Sequence, residues 1–155
     1  KEWNLDIKQF GFAGGSAGTP LSSYWAMKMK DCKLYIGCNG IYDFTNNLPK
    51  GSFPGKNPYL RNIGTEERAK EISSALLVPK NNPPAVLVVH GTADTTIPYQ
   101  QSEALCDAVE ANGGKTIRLI YPYYTHGFFN KNASDKYEEI ILEMFRFAKE
   151  VFNLK

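Results

Sequence analysis

A serine set among glycines, Gly14-Gly15-Ser16-Ala17-Gly18, is the first feature of this sequence that can do chemistry. The G-x-S-x-G spacing suits a sharp turn between a strand and a helix, with the serine in a strained backbone conformation and its hydroxyl exposed. Gly14 and Gly18 are expected where side chains would collide in so tight a turn. A helix starting at Ala17 would aim its N-terminal amides at the reaction centre, making the Ala17 N–H an oxyanion donor. A serine hydroxyl is a poor nucleophile until a base takes its proton. The chain holds two histidines, His90 and His126. His126, in Tyr123-Tyr124-Thr125-His126-Gly127-Phe128, lies just past an apolar strand and is expected as the base. His90 closes a buried apolar run and reads as a structural histidine. The base needs a carboxylate to fix its tautomer and stabilise the imidazolium. Asp94, in His90-Gly91-Thr92-Ala93-Asp94, is expected in that role. Asp43, in Gly40-Ile41-Tyr42-Asp43-Phe44, is the alternative; otherwise it caps the amides of its own loop. Two histidines so placed have no metal-ligand spacing, and no metal site is expected.

These residues need elements to position them, and the chain reads as strand and helix in alternation. That pattern predicts a three-layer α/β/α fold with a mostly parallel sheet of about four strands. The first strand is expected at about 7–13 and the helix after the serine at about 17–30. Leu21, Tyr24, Trp25 and Met27 supply that helix's apolar face, and Pro20 falls in its first turn. A second strand spans 33–38 and ends in Asn39-Gly40. A Gly-, Pro- and Asn-rich stretch at about 46–64 reads as a loop or small cap inserted in one domain, 1–155. A helix capped by Thr65 follows, with Glu66 and Glu67 in its first turn. The run Ala85-Val86-Leu87-Val88-Val89 fits a strand buried on both faces. A helix from Pro98 to Gly113-Gly114 turns Leu105, Cys106, Ala108 and Val109 inward. The strand at 116–121 carries Arg118 among apolar residues, which marks a sheet edge. In the last helix, about 134–153, Tyr137, Ile140, Ile141, Met144, Phe145, Ala148, Val151 and Phe152 form one apolar stripe.

Composition narrows the function classes. Over 155 residues, 18 basic and 16 acidic side chains leave a formal charge of +2, spread without blocks. That gives no footing for nucleic-acid binding or a polybasic membrane anchor. No apolar run approaches the roughly 20 residues that span a bilayer. The first residues carry no targeting address, so the compartment is open. Cys32, Cys38 and Cys106 are odd in number and lack C-x-x-C spacing, which argues against a disulfide framework or a zinc site, and the apolar patterns around Cys38 and Cys106 favour buried free thiols. Trp25, Tyr42, Phe44, Tyr123, Tyr124, Phe128 and Phe129 fall near the loops, as a sugar-stacking wall or as core.

Taken together, the motifs resemble the α/β-hydrolase superfamily, which uses the order Ser, Asp, His along the chain. Gly15-Ser16-Ala17-Gly18 is similar to the elbow of its lipase/esterase branch, the branch of acetyl-esterases and carbohydrate esterases. His90-Gly91-Thr92-Ala93-Asp94-Thr95-Thr96-Ile97-Pro98, continued by Gln101-Ser102, matches the H-G-x-x-D-x-x-V/I-P acid loop. Tyr121-Pro122 ahead of His126-Gly127 resembles the usual histidine loop. The resemblance implies a serine hydrolase that cleaves small carboxylic esters, short-chain or acetylated-sugar, through an acyl-enzyme and without a cofactor. It covers the C-terminal half of the family fold. Trp3-Asn4-Leu5-Asp6 looks like the tail of a preceding helix, and the H-G-G loop that supplies a second oxyanion donor occurs nowhere in the sequence. Losing one such donor costs on the order of 10²–10³ in rate. The first strand is expected to present an open apolar edge, prone to self-association or to pairing with an N-terminal half. A prolyl-oligopeptidase-type serine peptidase shares the acid loop, but those enzymes usually carry an aromatic residue where this chain has Ala17, which favours esters. A non-catalytic fragment of the hydrolase fold is the third reading.

Overall fold

In a computed structural model the chain is described at residues 6, 8–48 and 60–154. The expected helix tail at 3–6 lies almost wholly outside the described residues, as does much of the 46–64 insertion. Four strands form one sheet: β1 (Gly11–Gly15), β2 (Leu34–Cys38), β3 (Ala85–Gly91) and β4 (Thr116–Tyr121). They lie in chain order, and each neighbouring pair is parallel. Between them run α1 (Thr19–Lys28), the short α2 (Leu60–Ile63), α3 (Glu66–Ile72) and α4 (Gln100–Ala111), with α5 (Tyr137–Val151) last. Among the described residues no helix is long and apolar enough to cross a membrane.

β3 is the buried centre. Val86, Leu87, Val88 and Val89 are wholly inaccessible and point alternately to two cores. On one face Val86, Val88 and Tyr35 pack with Ala26 and Met27 of α1 and Leu105, Cys106 and Val109 of α4. On the other, Leu87, Val89, Leu34 and Cys38 pack with Ile140 and Phe147 of α5. A β-branched run with no polar face can satisfy both layers at once, which is why this strand reads so plainly in the sequence. A third, smaller cluster joins Ile41, Phe44, Ala69 and Ile97 across the top of the sheet. All three cysteines are buried and free. Burial pushes the Cys38 and Cys106 thiols up to about 12, so both are inert hydrophobes.

Several boundaries and faces differ from expectation. β1 begins at Gly11, and its glycines are part of the ladder: Gly14 and Gly15 stand opposite Gly37 and Cys38. The serine turn is a 3-10 turn, Ser16–Gly18, and α1 proper starts at Thr19. α1 turns Thr19, Ser23, Ala26 and Met27 inward, whereas Leu21 and Trp25 face out, Leu21 being 66 % exposed. Both sets repeat at helical spacing, so period alone cannot choose. A Ser22 hydroxyl packed against the Cα of Gly14 sets α1 close on β1, and only small side chains fit between. In α5 the buried residues are Ile140 and Phe147, while Ile141 and Phe145 of the expected stripe are exposed. Thr65 caps α3 as expected, accepting the Arg68 N–H at 3.1 Å. β4 is a sheet edge, with Arg118 bound to Asp107 at 2.7 Å and to Glu110.

Candidate active site

The serine sits where β1 breaks into the 3-10 turn. Ser16 has φ 48°, a left-handed backbone that costs a residue with a side chain free energy and persists only when its surroundings hold it. Thr19 is part of what holds it. Its hydroxyl donates to the Ser16 carbonyl at 2.7 Å and accepts the Ile41 N–H at 3.2 Å, tying the elbow to the loop after β2. A Cβ at Gly14 would collide with the Ser22 hydroxyl and the Gly18 carbonyl, as expected of a tight elbow. Gly18 does not follow that expectation: a Cβ there meets nothing within 4 Å among the described residues.

The carboxylate and the histidine come from adjoining loops at the C-terminal ends of β3 and β4. These loops are stitched together by the Thr92 N–H on the Tyr121 carbonyl, the Ala93 N–H on the Tyr124 carbonyl, each at 3.0 Å, and the Tyr123 N–H on the Thr92 hydroxyl at 3.0 Å. Gly91 makes the approach possible, since a Cβ there would run into the Tyr124 carbonyl. The result is a line of three groups. Asp94 Oδ2 lies 2.7 Å from His126 Nδ1, and His126 Nε2 lies 2.7 Å from Ser16 Oγ.

Asp94 is buried, yet it accepts from five donors. Oδ1 takes the Thr96 and Ile97 amides at 2.8 and 2.9 Å; Oδ2 takes His126, the Asn39 amide at 2.7 Å and His90 at 3.2 Å. Burial alone would raise its pKa. The Ile97 amide, His126, Asn39 and the Thr96 amide outweigh burial and hold the carboxyl below its ordinary value. An ionised carboxylate can only accept, so His126 Nδ1 carries a proton, and in the neutral ring Nε2 then presents its lone pair to the serine. A hydroxyl on a neutral imidazole nitrogen, backed by an ionised carboxylate, is an arrangement that activates an oxygen nucleophile.

The other candidates fall outside that line. His90 is fully buried, with Nδ1 on the Ser102 hydroxyl at 2.7 Å and Nε2 on the Ile97 carbonyl at 2.9 Å. Burial lowers its pKa, so Nε2–H donates to the carbonyl and Nδ1 accepts from the serine. Asp43 binds its own loop through the Thr45 amide and hydroxyl, at 2.7 and 2.5 Å, and makes no hydrogen bond to either histidine among the described residues. Of the loop aromatics, Tyr42, Phe44 and Phe128 are core, while Tyr123 is 90 % exposed.

Two supporting residues carried little signal. Buried Gln101 clamps the loop after β2: Oε1 accepts the Tyr42 and Asp43 amides at 2.9 and 2.8 Å, and Nε2 donates to the Asp43, Asn46 and Asn47 carbonyls. The Gln-Ser pair was visible as a motif, but its target was not. Asn39 read only as the end of a strand before a glycine.

A profile of the Prolyl oligopeptidase family matches residues 1–155. A "Probable isoprenylcysteine alpha-carbonyl methylesterase" of Oryza sativa subsp. japonica is 28 % identical over 114 residues, 68 % of this chain and 26 % of that protein. Similar solved structures include a truncated form of a carbohydrate esterase from gut microbiota, at 22 % identity and TM-score 0.77, covering 97 % of this chain and 62 % of that one. An acylaminoacyl peptidase in complex with Z-Gly-Gly-Phe-chloromethyl ketone is 20 % identical with TM-score 0.73, covering 91 % of this chain and 24 % of that one. The chain therefore spans between 24 % and 62 % of the length of these proteins.

Proposed function

This chain belongs to the Prolyl oligopeptidase family of serine hydrolases, and from that premise we propose that it cleaves small carboxylic esters through an acyl-enzyme on Ser16. The observation that carries the reading is the Ser16–His126–Asp94 line, with both links at 2.7 Å, at the C-terminal end of a parallel sheet. Ser16 Oγ attacks the ester carbonyl carbon while His126 Nε2 takes its proton. The oxyanion of the tetrahedral intermediate receives the Ala17 N–H. Collapse breaks the bond to the alkoxy oxygen, which leaves as the alcohol with the proton from His126. Water, deprotonated by the same nitrogen, then releases the carboxylic acid and restores the serine. Asp94 stays ionised throughout and stabilises the imidazolium. No cofactor enters.

We favour esters, short-chain or acetylated-sugar, over peptides because Ala17 stands where prolyl-oligopeptidase-type peptidases usually carry an aromatic residue. Peptide cleavage is the second reading, favoured by the family's own name. The activity of the whole protein rests further on what lies across β1. Among the described residues this strand pairs with β2 alone, and we assign its open edge to an N-terminal half of the same protein, consistent with the share of its relatives that the chain spans.

The deciding experiment is intact-mass detection of a fluorophosphonate adduct on this chain and on Ser16→Ala. One adduct, absent from the variant, is expected. A folded chain that takes none would refute the reading and favour a non-catalytic fragment. Parallel turnover of p-nitrophenyl acetate and a dipeptide anilide then separates esters from peptides, with the acetate expected to be faster.

A further inference from the structure

At the end of β2 a buried asparagine stands in a costly place. Asn39 is wholly inaccessible and holds φ 46°, a left-handed conformation that asparagine tolerates at some cost. Its side-chain oxygen is buried with no hydrogen-bond partner among the described residues. An orphaned buried acceptor is itself destabilising. Against these costs its side chain makes one bond, Nδ2–H to Asp94 Oδ2 at 2.7 Å. That is the same oxygen that receives His126, at the same distance. The direction of the amide is fixed, because an ionised carboxylate cannot donate.

We propose that Asn39 is a positioning residue that sets the strength of the Asp94–His126 pair, and thereby the pH range in which Ser16 is activated. This rests on the reading of Ser16, His126 and Asp94 as the working relay. Two donors share Oδ2 at equal distance, so each weakens the pull on the other's proton. The Asn39 amide draws charge from the carboxylate and limits how firmly Asp94 holds a proton on His126. A weakly bound base proton is what a nucleophile-activating histidine needs near neutral pH.

The surroundings leave Asn39 as the adjustable partner. From β3, His90 faces the same oxygen at 3.2 Å, neutral and sharing its one Nε2 proton with the nearer Ile97 carbonyl. The loop after β2 contributes the Asp43 carboxylate, occupied by Thr45 and Asn46. α4 contributes Gln101 and Ser102, which carry no charge, and the 3-10 turn after β1 contributes Ser16. The Thr96 and Ile97 amides take the other carboxylate oxygen.

The test uses Asn39→Asp, which is isosteric and tolerates the left-handed backbone, and Asn39→Gly, which frees the backbone and removes the side chain. In Asn39→Asp a second carboxylate replaces the donor, and an added anion within about 4–6 Å shifts such equilibria by 1–3 pH units. The acid limb of the fluorophosphonate labelling rate is expected to move to higher pH by about one unit, with roughly tenfold slower labelling below the midpoint. Asn39→Gly is expected to move it the same way, by less. A merely structural asparagine would lower Tm in both variants and leave the limb where it is, which would overturn the proposal. The low-field NMR signal of the His126 Nδ1 proton reads the same bond without turnover. It is expected to move further downfield in Asn39→Gly, and an unmoved signal overturns the inference by itself. A wild-type chain that takes no label would refute the proposed hydrolysis, while this signal would still decide the role of Asn39.

Discussion

Asp94 is bound from several directions, by two amides of its own loop, by two histidines and by an asparagine from the neighbouring strand. Ser16, one hydrogen bond from His126 at 2.7 Å, follows a strand that among the described residues pairs on one side only. Its elbow is held through Thr19, and one of its two framing glycines has empty space where its partner has a wall. Among the described residues the Asp94 side is thus densely bonded, and the Ser16 side is held through Thr19 toward α1 and the loop after β2. A site whose acid is fixed by many bonds tolerates a looser nucleophile, because the histidine between them inherits its orientation from the carboxylate.

The largest effect is expected where the bonding is densest. Asp94→Asn presents an amide to donors that all require an acceptor, and it favours the wrong tautomer of His126. In serine hydrolases that use this relay, such a change lowers kcat by about 10⁴. Ester turnover and fluorophosphonate labelling of the variant, with circular dichroism as the check on folding, measure it. A variant that kept a tenth of the wild-type rate would mean that Asp94 orders its loop without serving His126, and the contrast between the two sides would collapse.

This asymmetry also governs what the sequence could reveal. β3 was legible because a strand buried on both faces has to be apolar throughout, and Val86 to Val89 can be little else. The Ser16, Asp94 and His126 positions were legible because each falls just beyond a strand in a short, distinctive loop. The faces of α1 and α5 were not. In α1 the inward residues are small and partly polar, since the elbow draws the helix close to the glycines of β1 and Thr19 and Ser23 find local backbone acceptors. The larger apolar residues Leu21 and Trp25 look inward by polarity and face outward in fact. Asn39 and Gln101 were hidden for a different reason. Their partners lie 55 residues or more away along the chain, at Asp94 and at Tyr42 and Asp43, and an asparagine before a glycine reads as an ordinary turn.

The glycines of the elbow give a contrast of intermediate size. Gly14→Ala drives a methyl into the Ser22 hydroxyl and the Gly18 carbonyl, so either α1 or the serine must move. Overpacking of this kind costs about 1–3 kcal/mol. Gly18→Ala meets open space, and its φ of −79° suits alanine. Urea denaturation of the two variants is expected to separate them by at least 1 kcal/mol, with Gly18→Ala close to wild type. Equal losses would mean that the space beside Gly18 is filled in solution, which a self-associated chain would explain.

The smallest effect on stability is expected on the outer faces of α1 and α5, and there the informative reading is mass. Leu21 and Phe145 are 66 % and 62 % exposed, on α1 and α5, which pack on opposite faces of the sheet. Beside β1, Ala13, Gly14 and Gly15 line a groove of about 470 Å³ with Ile36, Ile141 and Met144. Apolar side chains on both helices and, among the described residues, an unpaired strand edge make a surface prone to association. Leu21→Lys with Phe145→Lys removes no buried contact, so Tm is expected to stay within the shift of about 0.5 kcal/mol usual for surface changes. In sedimentation velocity the 155-residue chain is expected to associate as concentration rises, and the double variant to remain monomeric to higher concentration. If the wild-type chain stays a monomer throughout, the open edge protects itself and the assignment of a covering N-terminal half loses its physical basis. If instead the double variant melts well below wild type, these side chains are core, and the nucleophile side of the site is better held than its single strand pairing implies.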